Sequence, residues 1–544
     1  MSLYARLAWD GIRKNKRLYL PYILTCVGAV TMYYMMRELR DSPLLESMKG
    51  GGSSRMILGL GTWVIAVFSL LFLFYTYSFL IRRRQREFGL YHVLGLGKRH
   101  IALLCTLETL FTAAIALVAG LAAGVGLSVA VELGLRSTMR AAVDFAFSIN
   151  GGALLQTALL YLAIFLLILL STLVKVGRGS AMSLLRSENY GEKPPKANVF
   201  VAVLGAVLLA VAYVMAVSIQ EPMQAMLLFF AAVILVILAT YLLFIAGSVA
   251  LCKLWQKNKQ FYCPPRHFVS VSSLVYRMKR NGAGLASICI LATMVLVMLS
   301  SSACLYFGAE DSLNATYPTE FDVTVWVSDP ATVPDLEKAL NEAGAPYGVA
   351  VWQQGTLEQW EDGAEWSAAF DTGLSRERQL ALGRAISSAL NNPETTWGYS
   401  TAFRAEAADE FYGTYGSLFF IGIILSVLFI CAAVLIIYYK QLCEGYEDQP
   451  RFAIMQKVGM TAADIRRSVN SQLLTVFFLP LAGAALHMAF AFPMIRRMLL
   501  LFRLTNTGLF VATALISFAV LTVVYTLVYK ATSNAYYRIV KGSI

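Results

Sequence analysis

Long apolar runs alternate with short charged connectors along most of the chain, the pattern of a protein that crosses a bilayer many times. The runs predict about ten spans: Leu18–Met36, Ile57–Ile81, Ile101–Val131, Leu154–Val174, Val199–Val217, Ala225–Leu251, Ile288–Phe307, Ser417–Tyr438, Leu473–Phe492 and Leu509–Tyr529. The third run exceeds what a bilayer needs and predicts a helix that tilts or protrudes. Ahead of the first span, Leu3, Leu7, Trp9 and Ile12 sit among charges, as in a helix lying in the membrane interface. Gly50-Gly51-Gly52-Ser53-Ser54 reads as a flexible joint.

Two connectors share a design. Arg86-Glu87-Phe88-Gly89-Leu90-Tyr91-His92-Val93-Leu94-Gly95 joins spans two and three, and the stretch from Tyr438 to Met460 joins spans eight and nine. At one constant offset Phe88 falls on Phe452, Leu90 on Ile454 and Gly95 on Gly459, which marks an internal repeat. Phe452, Met455 and Gly459 suit a short helix with a glycine stop. Met278-Lys279-Arg280-Asn281 echoes Ile12-Arg13-Lys14-Asn15 and predicts a second interfacial helix before span seven. Spans one to four thus repeat as seven to ten, in parallel, with two inserted between. Two like connectors on one side offer two docking points for two copies of one partner; ordinary basic loops are the plain alternative.

The stretch between spans seven and eight differs from the rest. Residues 308–416 hold 18 acidic and 5 basic side chains, a net −13, which leaves the remainder of the chain at +25. Such a segment predicts a folded domain outside the membrane. Phe321–Val327 alternates with period two and reads as a strand. Thr332–Ala343 opens with a Thr-x-x-Asp cap and continues as an amphipathic helix. Tyr347–Gln353 reads as another strand and Ser375–Leu390 as a second helix. The expected fold is a polytopic α-helical membrane protein with about ten transmembrane helices in a 4+2+4 arrangement. A small α+β extracellular domain interrupts it. The expected units are residues 1–197 (first half, connector 82–100), 198–255 (spans five and six), 256–307 (interfacial helix and span seven), 308–416 (outer domain) and 417–544 (spans eight to ten, connector 439–470).

Composition sharpens this picture. The chain is 58% hydrophobic and only 14% charged, with mean hydropathy +0.62, which excludes a soluble globular protein of this length. Lys/Arg clusters fall at the N-terminus and after spans two, four, six and eight, so both termini are expected in the cytoplasm. Arg496, Arg497 and Arg503, between spans nine and ten, break that rule. No cleavable signal is evident. Six of the eight cysteines lie in apolar runs, and Cys263 and Cys443 lie in inner connectors. A disulfide framework is not expected. The four histidines show no ligand spacing, so no metal site is expected.

Little in the chain suggests catalysis. Gly95-Leu96-Gly97-Lys98 is followed by Arg99 and lacks the upstream glycine of a phosphate cradle. Any use of ATP therefore requires a separate subunit, with ATP and Mg²⁺ bound there and no cofactor on this chain. Nothing points to nucleic acid. Glu108 lies about two turns into span three, where a carboxylate is costly; a structural hydrogen bond is the expected role. Gly120 and Gly124 form a G-x-x-x-G of close helix packing.

The stretch Tyr438–Met460 and the N-terminal Ile12-Arg13-Lys14-Asn15-Lys16-Arg17-Leu18-Tyr19-Leu20-Pro21-Tyr22 resemble the Bce-type peptide-antibiotic ABC transporter permeases, within the FtsX-like, MacB-type group. The resemblance covers the membrane part and fails between spans seven and eight, where Bce-type outer domains are nearly twice as long. It implies a permease subunit in a bacterial cell membrane, driven by an ABC ATPase in two copies and serving resistance to, or sensing of, cell-wall-active antimicrobial peptides. A membrane histidine kinase is a partner of many relatives. It also implies ATPase coupling by the connectors. We assign to them Phe88, Leu90, Tyr91, Leu94 and Gly95, and Glu444, Gly445, Arg451, Phe452, Met455 and Gly459. The relatives' peptides act on pyrophosphate-bearing lipid carriers. Arg136 and Arg140 after span three, with Arg496, Arg497 and Arg503 after span nine, are thus candidates to clamp a lipid pyrophosphate; snorkelling at the interface is the plain alternative. Two other functions fit the same plan: an FtsX-like exporter of lipid, lipoprotein or peptide, or a non-transporting regulator that passes ATPase motion to a kinase or cell-wall hydrolase.

Overall fold

A computed structural model describes residues 3–43, 45, 51–139, 149–178, 198–257, 265–360, 363–391, 397–457 and 462–541. Helix α1 (Leu3–Lys14) is amphipathic and ends at Asn15. The membrane helices of the first half are α2 (Lys16–Arg40), α3 (Gly51–Val93), α4 (Lys98–Met139) and α5 (Gly151–Arg178). Then come α6 (Val199–Ser218) and α7 (Pro222–Leu242), which runs through a π turn, Leu243–Gly247, into α8 (Ser248–Lys257). Helix α9 (Pro265–Phe307) leads to a short α10 (Ala309–Thr316) and the α+β domain, after which α13 (Arg404–Lys457), α14 (Ala462–Leu500) and α15 (Thr507–Lys541) complete the bundle. Among the described residues, 10 helices are long and apolar enough to cross a membrane. A helix satisfies its own backbone where no water can, and buried Thr62, Thr76, Thr109 and Thr172 donate to the carbonyl one turn back for the same reason.

The two halves pack alike. α2 lies on α3 and α4, and α9 lies on α13 and α14. The halves meet where α13 packs on α3 and α2, with Phe68 of α3 edge-on to Phe429 at 4.8 Å and Tyr439 donating to the Leu18 carbonyl of α2 at 2.6 Å. Gly120 and Gly124 seat α4 against Val30 and Tyr34 of α2, where an added Cβ would lie 2.7 and 2.6 Å from those side chains. The α6–α7 hairpin is fixed to α14 by His487, whose two ring nitrogens meet Tyr213 Oη at 2.7 Å and Thr240 Oγ1 at 3.1 Å.

Several boundaries differ from expectation. Gly51–Ser54 is the first turn of α3, held by Ser54 Oγ on the Gly413 carbonyl at 3.2 Å, and only Gly50 of that joint lies outside the described residues. The stretch ending at Met278–Asn281 is not a separate interfacial helix: among the described residues α9 is continuous from Pro265 into span seven. Gly282 lets it approach the π turn, since a Cβ there would lie 2.5 Å from the Phe244 carbonyl oxygen. Span eight begins at Arg404, not Ser417, because Ala405, Glu406, Ala407 and Ala408 extend the helix out of the apolar run.

In the α+β domain, β1 (Phe321–Val327), β2 (Gly355–Trp360), β3 (Gly363–Phe370) and β4 (Gly398–Phe403) form an antiparallel sheet of order β2-β3-β1-β4. Helices α11 (Val333–Gly344) and α12 (Arg376–Leu390) supply Leu336, Leu340, Leu382 and Ile386 to a core with Val323, Val325 and Trp366. Thr332 precedes α11, but its side chain makes no cap; its hydroxyl donates back to the Asp329 carbonyl at 2.8 Å. The strand expected over Tyr347–Gln353 is absent. Gly348 turns left-handed at φ 73°, and Trp352 stacks on Trp366 with ring centroids 5.5 Å apart instead of joining the sheet.

Candidate coupling site

The site is built where α3 leaves the bundle, at the end far from the α+β domain. Helix α3 does not stop at the apolar boundary near Ile81 but carries on to Val93. Gly95, at φ 93°, then closes it: Gly95 N donates to the His92 carbonyl at 3.1 Å and Leu96 N to the Tyr91 carbonyl at 2.9 Å. These are the paired bonds of a Schellman end, which requires the left-handed residue that glycine supplies. Tyr91 and Leu96 settle with Tyr4, Leu7, His100, Ile101 and Leu104 in one apolar seat, and Tyr4 stacks on His100 at 5.6 Å.

That geometry sorts the expected contact residues. Leu90 is 54% exposed and Leu94 is 72% exposed, and Val93 between them is 67% exposed. They form an apolar tip. Phe88 cannot be part of it, being only 2% exposed. Its ring lies 5.1 Å from the Arg84 guanidinium carbon, because a helix that continues through the connector turns position 88 inward. Tyr91 is half-buried in the seat and braces the tip.

Beneath the tip lies a buried ion pair. Arg84, in α3, donates to Glu108 of α4 through Nη1 and to Glu87 through Nε at 2.9 Å. Both Arg84 and Glu108 are 1% exposed. Tyr19 of α2 donates to Glu108 Oε2 at 2.9 Å and takes a bond from Arg84 Nη1 at 2.7 Å. Asn15, at the break between α1 and α2, donates to Glu87 at 3.0 Å. Burial works against the charge of Arg84, but Tyr19 and Glu108 outweigh it and hold the guanidinium's pKa above its ordinary value. Gly11 of α1 closes the top: a Cβ there would stand 2.9 Å from Glu108 Oε1 and 3.2 Å from Arg84 Nη2. Glu108 is the expected structural acceptor, whereas Arg84 is one of three consecutive arginines whose partner only the fold brings near.

The second connector is not a loop over most of its length. Helix α13 runs to Lys457, through Gly445 and Pro450, so packing rather than helix propensity carries it past the apolar run. Glu444 and Gly445 are buried within the bundle. A Cβ on Gly445 would touch Tyr536 and Ile539 of α15 at 3.4 and 3.4 to 3.5 Å. Asp448 is buried and accepts from Tyr536 Oη at 2.7 Å. Arg451, Phe452 and Met455 lie on the last turns of α13, and Gly459 lies outside the described residues.

Among the described residues, the arginines expected to clamp a pyrophosphate make separate contacts. Arg497 reaches Gln220 between α6 and α7, whereas Arg503 donates to the Ala315 carbonyl of α10 at 2.8 Å. Arg496 is exposed, and Arg136 lies one turn from Glu132 on α4 in the other half. Arg140 lies outside the described residues. Arg503 takes a left-handed φ of 52° to make its contact. Ser312 Oγ on the Phe502 carbonyl and Asn506 on Asp311 at 3.1 Å complete the clasp, so the α14–α15 turn holds the root of the α+β domain.

Residues 59–181, which cover most of α3 through α5, match the FtsX-like permease C-terminal family. The ABC transporter permease protein YxdM of Bacillus subtilis is 22% identical, over 90% of this chain and 93% of that protein. The bacitracin export permease protein BceB of Halalkalibacterium halodurans is 25% identical over 63% of this chain and 54% of its own length. BceB of Bacillus subtilis is 23% identical over 58% of this chain and 50% of its own.

Proposed function

Since the chain is a Bce-type, FtsX-like permease subunit of an ABC transporter, we propose that it is driven by two copies of a separate ATPase in resistance to, or sensing of, cell-wall-active antimicrobial peptides. ATP and Mg²⁺ belong on that partner. The observation that carries the docking is the Schellman-closed end of α3, which holds Leu90, Val93 and Leu94 out as an apolar tip on a rigid base. A short amphipathic helix of this kind fits a groove on a partner. The repeat places the end of α13 at the equivalent position, giving one docking point per half. Both termini and both helix ends then face the cytoplasm, and the acidic α+β domain faces out of a bacterial cell membrane.

Motion at the tip has a physical route. It would pass through Arg84 and Glu108 to α2 and α4, and along α13 and the α14–α15 turn to the domain. The peptide class comes from the similarity to permeases named for bacitracin export. A membrane histidine kinase as a further partner follows from the same kinship. The test is purification with the ATPase encoded nearest to it, followed by reconstitution. ATP-dependent release of a bound cell-wall-active peptide from the complex supports the reading; signalling without any change in peptide location would favour a non-transporting regulator.

A further inference from the structure

One face of α1 is unused by the contacts described above. Its exposed positions are Leu3, Arg6, Trp9, Arg13 and Lys14, and Lys16 follows past the break. Leu3, Arg6, Trp9 and Arg13 recur at three- and four-residue spacing and form a single stripe. Leu3 is 69% exposed and Trp9 is 44% exposed. Asp10 shares the stripe, one turn from Arg6, Arg13 and Lys14, but is half-buried, so the fully exposed charges on it are all positive. The opposite face holds Ala8, Gly11 and Ile12 inside the bundle.

Depth identifies what covers the stripe. The Trp9 ring meets Phe111 edge-on at 5.9 Å, and Phe111 lies further along α4 than Glu108, inside the apolar run. Leu103 and Leu110 of α4 and Leu20 and Leu24 of α2 are exposed at the same end, as on helices facing hydrocarbon. A Trp at that depth with arginines one turn to either side sits where acyl chains meet headgroups, out of reach of a soluble subunit. Apolar insertion with basic flanks is the arrangement that holds a helix on an anionic leaflet.

We propose that α1 binds anionic phospholipid and that this contact sets the coupling strength of the α3 tip. Its inner face already closes the machinery: Gly11 lies over Arg84 and Glu108, while Tyr4 and Leu7 seat Tyr91 and Leu96. Lipid that holds α1 down therefore holds the base of the tip in place. The coupling half rests on the reading of that tip as an ATPase dock; the lipid contact does not.

The experiment compares the intact permease in nanodiscs of phosphatidylcholine alone and with phosphatidylglycerol, with and without its ATPase. Amide hydrogen exchange of α1 is read alongside ATPase activity. Each basic residue near an anionic surface contributes roughly fivefold in binding. Phosphatidylglycerol should thus slow exchange in α1, and Arg6→Gln/Arg13→Gln should remove about thirtyfold of lipid affinity. The same double variant should abolish stimulation of the ATPase by phosphatidylglycerol, and Arg6→Lys/Arg13→Lys should keep it. Equal exchange in both lipids, a lipid response retained in the Gln variant, or protection that needs the ATPase and not the lipid would overturn the proposal. Protection by phosphatidylglycerol without ATPase recruitment in any lipid would overturn the docking reading and leave the lipid contact standing.

Discussion

Arg84 of α3 and Asp448 of α13 occupy equivalent positions in the internal repeat, and both are buried, with opposite charge. The offset that carries Phe88 onto Phe452 carries Arg84 onto Asp448 and Glu108 onto Gln472. Arg84 joins α3 to α2 and α4 through Tyr19 and Glu108, whereas Asp448 joins α13 to α15 through Tyr536. The duplicated helix ends therefore rest on different supports, and motion at each would enter the bundle through different spans.

The buried pair gives the first prediction. Removing one partner strands a charge where water cannot reach it, at a cost of about 3–5 kcal/mol. Glu108→Ala should therefore lower the melting temperature of the detergent-solubilised protein sharply, and Arg84→Met should do the same. The double variant Arg84→Met/Glu108→Leu should recover most of the loss, because no buried charge is left unpaired: Glu87, the other carboxylate on Arg84, is 38% exposed and keeps its bond from Asn15. Additive losses in the double variant would show that the two side chains act independently.

Gly11 leaves no room above that pair. Gly11→Val should push α1 off Glu108 and loosen the tip while the spans remain folded. The measurable outcome is preserved yield and monodispersity with reduced coupling of ATPase activity to ligand. A fully coupled Gly11→Val protein would mean that α1 does not bear on the ion pair.

Arg503 carries the clasp on the α+β domain. A non-glycine residue at positive φ costs of order 1–3 kcal/mol, which the Ala315 contact offsets. Arg503→Gly should relieve the backbone and keep overall stability near that of the parent, yet free α10. Hydrogen exchange in residues 309–316 should rise in this variant without a change in the spans. Unchanged exchange there would place the domain's anchorage on Arg404 and Tyr412, which hold Glu310 from α13.

Much of this architecture is legible in the sequence because a bilayer is a demanding solvent. Twenty apolar residues in a row have few other uses, so the spans stand out, and Gly95 marks the end of α3 because few other residues adopt its φ. Phe321–Val327 alternates strictly and is a strand; Gly355–Trp360, where Glu358 and Gln359 follow Leu357, has no such period and escapes notice. The inward turn of Phe88 is hidden because the connector gives no sign that α3 continues unbroken through it. Arg84 is hidden for a different reason. Its role depends on Glu108 and Tyr19, which lie on other helices, and no local pattern reports a partner supplied by packing.

Recruitment of the ATPase tests the coupling site most directly. Leu90→Glu/Leu94→Glu places charge on the exposed tip without touching Phe88 or the ion pair beneath it. Mass measurement of the purified complex should find two ATPase copies on the parent permease and one fewer on the variant, with the permease itself unchanged in stability. Two copies retained on the variant, with ATPase activity still coupled, would contradict the assignment of α3 as a docking helix.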